Sequence, residues 1–119
     1  MAITASEMTR NAAVALTLND ATASQAVGYD YPDSRIALVV HNDNTNDGTK
    51  TATVTISKGT YLGNVVGDLK VDVGDAEKVV IGPLESVRFK NTASEITVGV
   101  AVTGSGTVSS VKIGVIKLP

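Results

Sequence analysis

The sequence predicts an all-β protein: an antiparallel β-sandwich, jelly-roll or immunoglobulin-like, of seven to nine strands with an N-terminal arm. Three observations carry that expectation. Val, Ile and Thr make up 39 of the 119 residues, whereas Trp is absent and Phe occurs once; β-branched side chains suit a pleated, half-buried surface. Apolar residues recur with period two from residue 36 onward, which puts one face of each segment on a core. Clusters of Gly, Asn, Asp and Pro interrupt these runs at spacings of about 8–12 residues, the rhythm of a sandwich or barrel. A chain of this length buries roughly two thirds of its unfolded surface and sustains one core. The organisation expected is an arm or edge strand over residues 1–12 and a single sandwich domain over residues 13–119.

Residues 4–18 are the best helix candidate, through Ala12, Ala13 and Ala15, yet their apolar positions keep no 3.6 period and Thr9, Asn11 and Thr17 oppose it. The stretch therefore reads as an extended arm followed by a strand over residues 13–18, with residues 20–25 as a loop. A strand over residues 36–41 comes next. The polar residues 42–50, ending in Asp47-Gly48, are expected to join it as a hairpin to a strand over residues 51–57. There Ala52, Val54 and Ile56 alternate with Thr51, Thr53 and Thr55. Leu69, Val71 and Val73 alternate with Asp68, Lys70 and Asp72, and Gly74-Asp75 turns into a strand over residues 78–81 that Gly82-Pro83 should end. Val87 and Phe89 alternate with Ser86, Arg88 and Lys90 as a further strand. Ile96, Val98, Val100 and Val102 form the next, and Gly104-Ser105-Gly106 leads into Val111, Ile113 and Val115. Residues 112–119 read as strand, and a segment of that kind is expected to be tied into the sheet rather than frayed.

The same composition excludes much chemistry. With no cysteine there is no disulfide, thiolate metal site or cysteine nucleophile. Ten Lys plus Arg against twelve Asp plus Glu give a net charge of −2, and the bases are singly spaced and interleaved with acids. That is a solvated strand surface, not a phosphate-tracking stripe, and it points away from nucleic acid. Apolar runs such as residues 36–40 reach five residues, against about 20 for a membrane helix and about 7–15 for a secretory core. The chain reads as a soluble product with no secretion signal and no membrane partner.

His41 is the one histidine, so a two-histidine metal site is excluded. With Asp43 it forms the one acid–base pair in sight, but no nucleophile, oxyanion motif or nucleotide loop accompanies it, and a strand-end residue bordering a polar loop needs no such role. The loop Asp43-Asn44-Thr45-Asn46-Asp47 presents oxygen atoms at alternating positions as a calcium loop does. Its twelfth position, however, is Val54 inside a strand, where an EF-hand requires a bidentate Glu. Asn, Asp and Thr are also what a long turn selects. Tyr29, Tyr31, Tyr61 and Phe89 are the aromatics, and Tyr29-Asp30-Tyr31-Pro32-Asp33 reads as a turn ordered by Pro32 before it reads as a contact loop. Gly82-Pro83-Leu84-Glu85 likewise reads as a connection. The expectation is a protein with no catalytic residues, no metal and no cofactor.

Three segments together are similar to a known group. They are the opening Met1-Ala2-Ile3-Thr4 leading through Arg10-Asn11, the middle Gly82-Pro83-Leu84-Glu85-Ser86-Val87-Arg88-Phe89, and Val102-Thr103-Gly104-Ser105-Gly106-Thr107-Val108 with the ending Lys112-Ile113-Gly114-Val115-Ile116-Lys117-Leu118-Pro119. The chain resembles the small all-β proteins of tailed-bacteriophage head-gene clusters, read as capsid decoration or head-stabilising proteins. The resemblance implies a non-enzymatic virion component made in the host cytoplasm, bound to the outer surface of the major capsid protein shell, and it suggests a homotrimer at local threefold positions. Ile3, Met8 and Arg10 are the capsid contacts expected of the arm. The alternative expectation, from the fold class, is a surface binding module that recognises a host glycan.

Overall fold

The computed structural model describes residues 3–29, 35–44, 49–60 and 66–119. Among them are nine strands: β1 (Ser6–Glu7), β2 (Asn19–Asp20), β3 (Ser24–Gly28), β4 (Ile36–Asn42), β5 (Ala52–Ile56), β6 (Leu69–Val73), β7 (Lys78–Leu84), β8 (Glu95–Val102) and β9 (Val111–Lys117). A single helical turn, α1 (Ser86–Phe89), follows β7, and a 3₁₀ turn (Val108–Ser110) precedes β9.

The strands pair as if one long hairpin had been rolled up: β2 with β9, β3 with β8, β4 with β7 and β5 with β6, all antiparallel. Two further pairings, β4 with β9 and β5 with β8, close the roll into two sheets. One sheet runs β2-β9-β4-β7, with β1 added in parallel on the far end of β9, and the other runs β3-β8-β5-β6. This winding is the jelly-roll form of the sandwich rather than the immunoglobulin one.

The alternation read from the sequence is the alternation of burial. Ile36, Leu38 and Val40 of β4 and Val111, Ile113 and Val115 of β9 point inward from one sheet. They meet Val54 and Ile56 of β5 and Ile96, Val98 and Val100 of β8 from the other, in one contiguous core. Each such aliphatic side chain contributes about 1.5–3 kcal/mol when fully buried. Tyr29 is also fully buried, and its hydroxyl donates to the Leu84 carbonyl at 2.8 Å.

Several expected elements differ. Residues 13–18 have the alternation of a strand but no ladder partner, and the strands lie later, at β2 and at β3, which begins in the last two residues of the expected loop over residues 20–25. β3 (Ser-Gln-Ala-Val-Gly) has little apolar pattern because it is an edge strand: β8 holds one side and Ile3 bridges to Val27 on the other. Residues 42–50 do not make a hairpin, since β4 and β5 belong to opposite sheets and the segment crosses between them; Asp47-Gly48 lies outside the described residues.

Gly82-Pro83 does not end β7, which continues to Leu84 across a register shift opposite Ile36 and Leu38. Gly82 takes φ +132°, and a Cβ there would lie 3.1 Å from the Ala37 Cα, so glycine is what lets the strand pass. Residues 86–90 form a turn instead of a strand. Arg88 and Phe89 N–H groups both donate to the Glu85 carbonyl, and the main chain of Gly59 and Thr60 caps the turn through Arg88 and Lys90 carbonyls at 2.7 and 3.2 Å. Only Phe89 is buried there, while Val87 stands exposed.

Candidate functional site

The expected contact residues of the arm part company. Ile3 is taken up by the fold: its N–H donates to the Ala26 carbonyl at 2.8 Å, its carbonyl accepts from Gly28 N–H at 3.2 Å, and its side chain packs against the core. Residues 3–7 thus cross from the edge of one sheet to the edge of the other, where Ser6 and Glu7 pair with Ile116 and Lys117. Met8 and Arg10 lie beyond this anchor, in a strap over residues 8–18 that returns to β9 at Asn19 and Asp20. Ion pairs mark both anchors, Lys117 Nζ to Glu7 at 3.2 Å and Lys112 Nζ to Asp20 at 2.6 Å.

The strap has an unusual surface. After Met8 N–H, which donates to the Lys117 carbonyl at 2.9 Å, no backbone hydrogen bond links residues 9–18 to the other described residues. Residues 11–19 carry no charge. Met8, Val14, Leu16 and Leu18 are between 37% and 42% exposed. Solvent-exposed extended chain of that composition is normally interrupted by charge or proline.

The body is shaped to receive the strap. Gly114 alternates with the inward-facing Ile113 and Val115, so it faces outward, and a Cβ at that position would lie 2.8 Å from Leu18 Cδ2 and 3.0 Å from Leu16 Cδ1. Val39 pairs with Gly114 and Val80 pairs with Val39, extending the apolar row across β4 to β7, where Val80 is 66% exposed. The result is an apolar outer face built half from the strap and half from the sheet. Sequence reading missed Val14, Leu16, Leu18, Val80 and Gly114. The signal was present in the uncharged alternation Val14-x-Leu16-x-Leu18, which pointed to a paired strand instead.

The catalytic and metal candidates do not assemble. His41 Nε2 stands 4.0 Å from the Asp43 carboxylate, beyond hydrogen-bond reach, on the outer face of its sheet between Lys78 and Lys112 in register. Asn44 is not available as a cation ligand: its Oδ1 accepts from Thr107 N–H at 2.9 Å and its Nδ2 donates to Asn42 Oδ1 at 2.7 Å. Asn42 is fully buried and donates to the carbonyls of Lys50 and Val73 at 2.8 and 3.0 Å. These two amides close one end of the sandwich, a structural task legible only once their distant main-chain partners are placed. Among the described residues no cluster of three or more His, Asp or Glu side chains forms a metal site. Tyr31, Tyr61 and the rest of the loop from Thr45 to Gly48 lie outside the described residues.

No protein-family model, curated protein or solved structure matches the chain.

Proposed function

We propose that this chain is a non-enzymatic decoration protein of bacteriophage heads, made in the host cytoplasm and docked from outside on the shell of the major capsid protein, with the strap over residues 8–18 as the contact. The observation that carries this reading is the outer face just described. It is apolar, uncharged along residues 11–19, and supported from beneath by a glycine-floored seat. Contiguous exposed apolar surface with satisfied polar residues around it is the mark of a protein contact. A rigid cysteine-free sandwich adds contacts to an assembled shell without needing a cofactor. Met8 and Arg10 fall within the proposed contact. Ile3 acts as the hinge that anchors it, which narrows the role the sequence assigns to that residue. The resemblance further supports a homotrimer around local threefold positions of the shell.

Co-sedimentation with heads produced from the same capsid operon lacking this gene tests the reading. Replacing Met8, Val14, Leu16 and Leu18 together by serine should weaken binding at least about tenfold, the effect of losing roughly 1.4 kcal/mol of contact. The four side chains are only 37–42% exposed and two of them pack on Gly114, so the melting temperature should fall as well, and binding is compared at a temperature where circular dichroism shows the variant folded. Undiminished binding by the quadruple variant would refute the strap as the contact. Failure of the wild-type protein to bind heads at all would refute the function.

A further inference from the structure

A groove of about 880 Å³ lies between the crossing segment at residues 3–6 and residues 17–26, with Thr17 of the strap in its wall. We infer that it is a binding site for a neutral oligosaccharide, an inference separate from docking through the apolar side chains Met8, Val14, Leu16 and Leu18. Its size suits roughly two or three pyranose rings.

One wall is fixed by internal bonds. The Asp20 carboxylate is held by Lys112, the Thr22 hydroxyl donates to the Ser24 carbonyl at 2.8 Å, and Gln25 uses both ends of its amide, accepting from Thr22 N–H and donating to the Val98 carbonyl. The remaining polar lining is uncommitted. Among the described residues, Thr4, Ser6, Thr17, Asn19 and Ser24 make no side-chain hydrogen bond and the Glu95 carboxylate has no hydrogen-bond or ion-pair partner. Four hydroxyl-bearing positions, an amide and a carboxylate on preset walls match the hydroxyl rim of a sugar. Ile3, Ala5 and Ala26 supply apolar surface for its C–H face.

Charge narrows the class. No Lys, Arg or His side chain lines the groove, and Glu95 is unneutralised, so sialylated, sulfated and phosphorylated ligands are disfavoured. A divalent cation would require several free carboxylates, and Asp20 is already paired. A neutral sugar instead donates vicinal hydroxyls to the one free carboxylate.

Titration of the ¹⁵N-labelled full chain with maltotriose, cellotriose and triacetylchitotriose, each to about 10 mM, well above the millimolar range of weak binding, tests the site, with sialyllactose as the anionic control. At least one neutral trisaccharide should produce saturable shifts confined to amides of residues 3–6 and 17–26 and to Glu95, and sialyllactose none. Glu95→Gln should weaken that binding roughly three- to tenfold, and Thr4→Val by a smaller factor, through lost hydrogen bonds to the sugar. Thr4 is exposed, and the half-buried Glu95 is replaced by a side chain of the same shape, so both variants should keep the wild-type spectrum. No saturable shift with any of the three neutral sugars, shifts located elsewhere, equal binding of sialyllactose, or an unchanged affinity in Glu95→Gln would each overturn the inference. Head binding is not measured in this experiment, so its failure leaves the decoration reading standing.

Discussion

Replacing Asn42 by leucine should lower the unfolding free energy by about 4 kcal/mol, although the two side chains have the same branched shape and the same number of heavy atoms. Asn42 is fully buried at one end of the sandwich. Its Nδ2 satisfies the Lys50 and Val73 carbonyls, and its Oδ1 accepts from both the N–H and the side-chain amide of Asn44, at 3.3 and 2.7 Å. Leucine leaves two carbonyls and the Asn44 amide without these partners in a site with little water, and each buried orphan costs about 1–3 kcal/mol. A loss of that size corresponds to a fall in melting temperature on the order of 15 °C for a domain of this length. Urea denaturation gives the comparison directly, and a loss below about 1 kcal/mol would show that the amide pair is dispensable. Asn42→Asp offers no rescue, since a carboxylate cannot donate to either carbonyl and brings a charge into the same enclosure.

The second large effect is expected at Gly59. A Cβ added there would fall 2.3 Å from the Lys90 carbonyl oxygen and 2.6 Å from the Phe89 carbonyl carbon. Both are main-chain atoms, so no rotamer change relieves the clash, and the Gly59 and Thr60 N–H bonds that cap α1 must stretch or break. Phe89, buried just beneath, moves with them. Gly59→Ala should therefore cost about 3 kcal/mol, the upper end for overpacking a close-packed site, visible as an early urea midpoint with an unchanged slope. Wild-type stability in this variant would mean that the seat of α1 yields more easily than its geometry implies.

Both sites show where sequence reading reaches its limit. The strands with a two-sided environment were legible. β4, β5, β8 and β9 alternate because one face meets the core, and Ile36, Val54, Ile96 and Ile113 are buried as the period requires. What alternation does not encode is a partner. Val14, Leu16 and Leu18 alternate as cleanly as Val71 and Val73, yet the first set lies across an outer face and the second belongs to a sheet edge. Val87 and Phe89 alternate too, but the pull of the Glu85 carbonyl and the cap from Gly59 wind them into a turn. Conversely β3 holds a single fully buried aliphatic, Val27, and is a strand because β8 and Ile3 lie on either side of it. The candidate contact face suffered similarly. Its uncharged run was visible in the sequence, whereas the glycine seat depends on residues 96 to 98 positions further along the chain.

The rolled-hairpin winding has a consequence for biosynthesis. β9 is the partner of β1, β2 and β4, so those three strands, laid down early, have no completed sheet until residues 111–117 have left the ribosome. The nascent chain consequently cannot fold piece by piece. It must wait with the aliphatic run of β4 and the uncharged residues 11–19 open to other chains. Such non-local pairing also places refolding in the range of milliseconds to seconds rather than microseconds. A chain truncated after residue 110 should stay unfolded and aggregate, and the intact protein should refold slowly in stopped-flow experiments. Synthesis at high local concentration would make this protein depend on holding chaperones more than its size suggests.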